Sequence, residues 1–384
     1  MWLPSVVRVP LGWCFGISIL LTSVFGNYMI SLFLFLIPLG HHKAWRFMMD
    51  RAISFWMTIP MGFLEFIFGM TVRVSGDEID VEEPGLILMN HRTRLDWMYI
   101  WSLLYQMNPW LITTNKISLK AQLKKLPGAG FGMAANQFVF LERNIEVDKV
   151  SFDKAIDYYT GMGNNYQILL FPEGTDKSPW TTTKSLEYSK KNGLRQLQYL
   201  LYPRTTGFYH LLSKMRQSNY ITYLYDVTVA YPHNIVQSEI DLVLKGSCPR
   251  EVHFHVKKID VREVPKDEAG VGRWLTSLWI EKEERLCKYY AEPIPSKRMF
   301  DIHKGQRMWT NKSEGFRKRL FKIAALLFWF TVVSIVAYHV CFIWTLQYGF
   351  TYFFIVSFIL TYYFGGIDTF VYNQWRFSVK DAIV

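Results

Sequence analysis

His91 and Asp96 sit five positions apart in Asn90-His91-Arg92-Thr93-Arg94-Leu95-Asp96-Trp97. On one continuous α-helix five steps turn roughly 500°, leaving the two side chains about 140° apart. The pair meets only if a helix starts between them, with His91 on the preceding loop and Asp96 in the first turn. A carboxylate turned towards an imidazole is the arrangement a general base needs. Histidine suits the task because its reference pKa of about 6.5 leaves it mostly neutral near pH 7. Taken alone, the octet fits a surface loop equally well.

The elements around the octet decide between these readings. The apolar run Gly85 to Met89 before it reads as a buried strand. Two similar runs end in chemistry-bearing residues: Gln137 to Leu141, closed by Glu142-Arg143, and Tyr166 to Phe171, opening into Pro172-Glu173-Gly174-Thr175-Asp176. Further strands are expected at 71–78, 110–114 and 223–231, with 251–256 alternating like an edge strand. Helices are expected at 97–105, at 116–125 as a basic amphipathic segment ended by Pro127-Gly128, at 148–159 capped by Asp148, and at 182–192 and 267–290. This alternation predicts an α/β domain with a mostly parallel sheet flanked by helices. Ligands of such sheets gather at the carboxyl ends of strands, where His91, Arg143 and Glu173 all fall.

Composition sets the surroundings. Half of the 384 residues are hydrophobic, 20% are charged and the mean hydropathy is +0.07, with the apolar content concentrated at both ends. That predicts an integral membrane protein: membrane-embedded segments over 1–72, the catalytic domain over 73–300, and a helical pair with a short tail over 301–384. Residues 11–40 would span about 45 Å as a helix against a hydrocarbon core of roughly 30 Å. They fit one tilted helix, or a hairpin breaking at Gly26-Asn27. The stretch 53–72 carries Pro60 and Glu65, which favours an interfacial or re-entrant helix. Runs at about 320–346 and 349–371 are each long enough to span and form an antiparallel pair. The basic cluster Arg317-Lys318-Arg319 and Lys322 places the central domain on the cytosolic side, against a lone glycosylation tripeptide at Asn311-Lys312-Ser313.

The net charge of +11 favours membrane lipid and phosphate-bearing ligands. No zinc finger, RNP pattern or helix-turn-helix cue is present, which argues against nucleic acid. The four cysteines form no CxxC, so neither a disulfide framework nor a zinc site is expected. His253 and His255 share a strand face, but an ordinary sheet face explains them without a metal. No GxSxG elbow and no GxGxxG turn occur, which argues against a serine hydrolase and a dinucleotide enzyme.

Four stretches in order then resemble one family. The octet matches the first motif of the glycerophospholipid (1-acylglycerol-3-phosphate O-acyltransferase) family, a His and an Asp with four residues between. Phe138 to Arg143 resembles the second motif, Phe171-Pro172-Glu173-Gly174-Thr175 the third, and Val227 to Pro232 the fourth. The resemblance covers about residues 85–290. The interior Arg92-Thr93-Arg94, with Pro203 to Phe208 and Tyr231 to Ile235, resembles the lysocardiolipin acyltransferase branch most.

The resemblance implies transfer of a fatty acyl group from acyl-CoA, a co-substrate, to a hydroxyl of a lysophospholipid of lysocardiolipin, lysophosphatidylinositol or lysophosphatidic acid type. It implies an endoplasmic reticulum membrane, and no metal or other cofactor is required. His91 would be the base, with Asp96 fixing its tautomer. Backbone N–H groups near Gly174 would receive the oxyanion, and Thr175 belongs to the substrate-binding set. Glu173 would order the acceptor or hold a neighbouring arginine. Many relatives carry an arginine after Glu-Gly-Thr for the acceptor phosphate; this chain has Asp176. Arg92, Arg94, Arg143, Lys177 and Arg204 are the candidate replacements. A CoA-independent transacylase, a phospholipid hydrolase and a non-catalytic lipid-binding scaffold are the competing readings.

Overall fold

A computed structural model describes residues 4–381. In chain order the elements are α1 (Ser5–Ser31), α2 (His42–Gly62), β1 (Thr71–Gly76), β2 (Gly85–Met89), α3 (Asp96–Met107), α4 (Leu111–Thr114), β3 (Asn115–Lys120), α5 (Ala129–Ala135), β4 (Val139–Leu141), α6 (Ile145–Met162), β5 (Gln167–Leu170), α7 (Pro179–Lys191), α8 (Thr205–Gln217), β6 (Tyr223–Ala230), α9 (Glu239–Lys245), β7 (Glu251–Asp260), α10 (Glu268–Ala291), β8 (Arg307–Thr310), α11 (Phe316–Phe342), α12 (Trp344–Tyr363) and α13 (Ile367–Asp381). They form two compact units. The first holds residues 1–13, 64–117 and 165–315, the second residues 14–63, 118–164 and 316–384.

The first unit carries strands in the order β3-β5-β2-β6-β7-β1-β8. β2 and β5 are buried along their whole length, as continuous apolar runs in a covered sheet should be. β2 pairs in parallel with β5 on one side, Leu88 opposite Leu170, and with β6 on the other, Met89 opposite Val227. The carboxyl ends of these three strands therefore finish together, and the chain leaves them at Asn90, Phe171 and Tyr231. Asn90 fixes the exit from β2: its side chain accepts from Val229 N (2.8 Å) and donates to Val229 O (3.2 Å), continuing the ladder with an amide.

The expected mostly parallel α/β sheet is corrected here. Helix takes 61% of the described residues against 12% for strand, so the fold is predominantly helical. The sheet is small and mixed, because β7 runs antiparallel to β6 and β8 antiparallel to β1. The long apolar helices of both chain ends supply much of the excess. The segment 251–256 is also not an edge. β7 lies between β6 and β1, and the edge is β8. Residues 116–125 are no basic helix: β3 runs to Lys120, and only 121–125 wind into a 3₁₀ turn. The expected strand at 110–114 is the short helix α4.

In the second unit α11 lies along α2, with Gly62 against Leu326 and Phe55 among the rings of Phe321, Phe328 and Trp329. α12 meets α1 through Phe350, stacked on Tyr28 at 4.2 Å. A buried ion pair, Arg46 to Asp50 at 2.7 Å, is completed by Arg46 donating to Ala135 O and Asn136 Oδ1, as a buried charge requires. Residues 118–120 of β3 pair in parallel with β4. Asn144, not Asp148, caps α6; the Asp148 carboxylate accepts instead from Glu142 N.

α1, α11 and α12 are each long and apolar enough to cross a bilayer, and the protein is an integral membrane protein. α1 passes through Gly26-Asn27 without a break. The missing Cβ lets Gly26 lie against the Trp329 ring, and Asn27 donates to Gly128 O. The helix does not break at Gly26-Asn27 as the hairpin reading required, but it ends at Ser31, and Leu34–Leu36 form a separate 3₁₀ turn, so a single helix over 11–40 is not formed either.

Candidate active site

Asp96 opens α3, and His91 lies on the loop between β2 and that helix. His91 Nδ1 meets Asp96 Oδ2 at 3.0 Å. The helix start does fall between them, as the spacing requires. The imidazole stacks on Phe171, ring centres 4.3 Å apart, and keeps 17% of its side chain exposed. Nδ1 is thus engaged and Nε2 is the nitrogen left for a substrate.

The Asp96 carboxylate is wholly buried and surrounded by donors. Oδ2 accepts from Arg92 N (2.6 Å) and Thr93 N (2.8 Å), and Oδ1 accepts from the Tyr231 hydroxyl. Backbone donors of this kind fix the carboxylate in position and satisfy its buried oxygens. Burial pushes the Tyr231 hydroxyl well above its ordinary value, and the Asp96 charge adds to the shift, so this phenol remains a donor. Tyr231 directly follows β6 in the fourth motif, yet nothing in its spacing identifies it as the partner of Asp96.

Glu173 is also buried. Its Oε1 accepts from Trp279 Nε1 at 3.3 Å, and the backbone N–H groups of His91 and Leu201 point to the same carboxyl. Burial dominates these donors and the nearby Lys282, and pushes the carboxyl up to about 8. Glu173 therefore holds a proton near neutral pH. α10 supplies the floor. Lys282, fully buried, donates to Leu88 O (3.2 Å) and Val227 O (2.6 Å) and pairs with Asp226 at 2.7 Å. The next residue, Glu283, accepts from the backbone N–H groups of Gln198, Tyr199 and Leu200. The sequence pattern marks this stretch only as a helix.

Gly174 adopts φ +73°, a left-handed conformation that glycine enters without strain, and a Cβ there would come within 3.0 Å of Arg204 Nε. Its N–H closes a turn on Phe171 O at 3.0 Å. Thr175 follows, half-buried, and Arg204 is anchored by its N–H to Pro172 O at 2.8 Å. Lys177 is 7% exposed and donates to Thr182 Oγ1 at 3.2 Å. Burial and the adjacent Arg92 charge both lower its pKa. Arg94 is exposed, and its N–H donates to Gln237 O.

The first unit thus brings together His91, Arg92, Asp96, Glu173, Gly174, Thr175 and Arg204, with Arg94 on the same loop. Arg143 belongs to the second unit, exposed and at φ +63°, an uncommon value for a residue with a Cβ. Among the described residues no cluster of three or more His, Cys, Asp or Glu side chains is placed to hold a metal. His253 bonds Glu251 through Nε2 and Tyr289 through Nδ1.

The Acyltransferase family model matches residues 71–232, and the Acyltransferase C-terminus model matches residues 242–329. The chain is 60% identical over 380 residues to Lysophosphatidylinositol acyltransferase 10 of Caenorhabditis elegans, covering 99% of this chain and 97% of that protein. It is 38% identical over 375 residues to Lysocardiolipin acyltransferase 1 of Danio rerio, covering 94% of each. It is 28% identical over 256 residues to 2-acyl-1-lysophosphatidylinositol acyltransferase of Saccharomyces cerevisiae, covering 55% of this chain and 62% of that protein. The resemblance to the lysocardiolipin branch is corrected by the first two figures. The motifs that suggested it lie in the part of the chain matched by the Acyltransferase model or just after it.

Proposed function

This chain belongs to the glycerophospholipid acyltransferases, and from that premise we propose that it transfers an acyl group from acyl-CoA to lysophosphatidylinositol, with His91 as general base. The observation that carries the chemistry is the 3.0 Å contact of His91 Nδ1 with a buried, fully solvated-by-donors Asp96. Nε2 takes the proton of the acceptor hydroxyl as its oxygen attacks the thioester carbonyl. The imidazolium is stabilised by Asp96. The tetrahedral intermediate then expels the CoA thiolate, which recovers the proton from Nε2, leaving an ester and CoA.

The oxyanion donors come from the turn after β5. The Gly174 N–H is already committed to Phe171 O, which shifts the role to Thr175. Glu173 acts through His91 rather than on the acceptor, because its buried carboxyl receives the His91 backbone N–H. Lys177 and Arg92 receive the headgroup phosphate, with Arg204 at the rim.

The name of the 60% relative favours an inositol headgroup, and Asp176 supports it physically. A phosphomonoester acceptor carries close to two negative charges near pH 7, as phosphorylated side chains do. A phosphodiester carries one, and an inositol ring offers hydroxyls that a carboxylate can accept from. Asp176 repels the first acceptor more than the second. The location that fits an acceptor of this kind is the endoplasmic reticulum, with the site on the cytosolic side. The test is turnover of labelled acyl-CoA by the full-length protein in vesicles against lysophosphatidylinositol, lysophosphatidic acid, lysocardiolipin and lysophosphatidylcholine. Highest kcat/KM with lysophosphatidylinositol supports the assignment; a higher value for another acceptor overturns it.

A further inference from the structure

Gln237, seven residues after β6, latches the following segment to the site. Its side-chain amide donates to Lys177 O (2.9 Å) and Arg92 O (3.3 Å), and its carbonyl accepts from Arg94 N (3.2 Å). The next residue, Ser238, caps α9 by accepting from Asp241 N. α9 buries Leu242 and leaves Ile240 59% and Leu244 46% exposed. These two are four apart and so share one face of the helix. Ile235, just before, is exposed as well. Three large apolar side chains are thus left exposed beside the His91 loop among the described residues.

The same unit shows what lies alongside. The first turns of α1 meet the end of α9 backbone to backbone. Gly12 faces the carbonyls of Leu242 and Val243, and Gly246, at φ +61°, faces the Arg8 carbonyl. A Cβ at either glycine would strike those atoms, so the approach depends on both. On α1, Val6 and Trp13 also point outward, and α1 is one of the helices apolar and long enough to cross a bilayer. Exposed apolar side chains therefore stand both on the first turns of a membrane helix and on the short helix that those turns meet. Lys245 and Arg250 are exposed nearby, Lys245 in an ion pair with Asp241 at 2.7 Å.

We propose that α9 with Ile235 is a membrane-contact element: Ile235, Ile240 and Leu244 rest in the surface of the bilayer that holds α1. Through Gln237 this contact sets the His91 loop at the lipid–water boundary, where a lysophospholipid presents its hydroxyl. The occupant is lipid because α9 abuts the first turns of a helix long and apolar enough to cross a bilayer. An amphipathic helix in the interface buries its apolar face at the level of the headgroups, with cations beside the phosphates. The inference does not depend on which acceptor the enzyme prefers.

The test labels Ile240→Cys or Leu244→Cys with an environment-sensitive fluorophore, in full-length protein carrying Cys14→Ser and Cys341→Ser. The protein is reconstituted in phosphatidylcholine–phosphatidylserine vesicles containing shallow nitroxide lipid, with Lys288→Cys as the exposed reference. The expected result is quenching about threefold or more stronger at 240 and 244 than at 288. Equal quenching overturns the proposal. So does shielding of the label from iodide without lipid quenching, which would mark a protein partner or a second copy. As a second arm, the Ile240→Glu/Leu244→Glu variant should show about a tenfold higher KM for acceptor in vesicles and an unchanged kcat/KM for a short-chain acceptor dispersed in detergent. Equal loss on both acceptors counts against the proposal. The fluorescence arm needs no activity, so its failure is distinct from a failure of the acceptor assignment.

Discussion

Trp279 donates its indole N–H to Glu173 Oε1 across 3.3 Å, joining two residues 106 positions apart. The contact ties α10 to the turn after β5, and through the Glu173 carboxyl to the backbone of His91. The helix outside the four motifs thus helps set the position of His91. Trp279→Phe keeps most of the ring and removes the donor. A neutral hydrogen bond contributes about 1 kcal/mol, so kcat should fall several-fold with KM for acyl-CoA nearly unchanged. Because this bond lowers the Glu173 pKa, its loss should also move any alkaline limb governed by Glu173 to higher pH. An unchanged pH profile would detach Trp279 from the site.

The protonation of Glu173 gives a pH prediction. Its carboxyl is raised from 4.5 to about 8 by burial. Between those values the folded protein keeps a proton that the unfolded chain has lost, so stability falls as pH rises through that window. Activity should fall above about pH 8 as a charge enters the buried turn. Glu173→Gln resembles the neutral form. It should hold activity near pH 7 within about tenfold and flatten both the alkaline limb and the decline of Tm between pH 5 and 8. A Gln variant with the same limb as the parent would place that titration elsewhere.

Lys177 is a buried cation beside Arg92, with no carboxylate in ion-pair range among the described residues. Such a group costs stability unless an anion binds it. Lys177→Met should therefore raise Tm by a few degrees while raising the acceptor KM by about tenfold, which is about 1.4 kcal/mol of binding. A lower Tm with unchanged KM would make Lys177 structural.

Asp176 is predicted to bias the choice of acceptor. Asp176→Arg should raise kcat/KM for lysophosphatidic acid relative to lysophosphatidylinositol by about tenfold, from reversed charge next to a phosphate. An unaltered ratio would remove Asp176 from the headgroup pocket.

Much of this site was legible because apolar runs announce buried strands. Gly85 to Met89, Tyr166 to Phe171 and Tyr223 to Tyr231 fall on three adjacent strands, and the residues after them meet. The His91–Asp96 spacing demanded a helix start between them, and α3 starts at Asp96. β3 was misread because its lysines fit a solvated helix. Lys116 is in fact buried, its ammonium 4.4 Å over the Tyr166 ring. β7 looked like an edge because of His253 and His255. Tyr289, Glu251 and Ser75 satisfy those imidazoles, which lets the strand sit inside the sheet. Lys282 and Glu283 were invisible as site residues because their partners lie between 55 and 194 positions away. No local pattern encodes such pairings. The helical excess escaped notice because the sheet, not the terminal helices, carried the motifs.

The pair at the centre is tested by acyl transfer from labelled acyl-CoA to lysophosphatidylinositol in vesicles, comparing the parent with His91→Ala and Asp96→Asn. Both variants should bind acyl-CoA with unchanged affinity. Each should lose activity by roughly 10²- to 10⁴-fold, the span of general-base catalysis. Acceptor-dependent transfer by His91→Ala at the parent's rate would contradict the account.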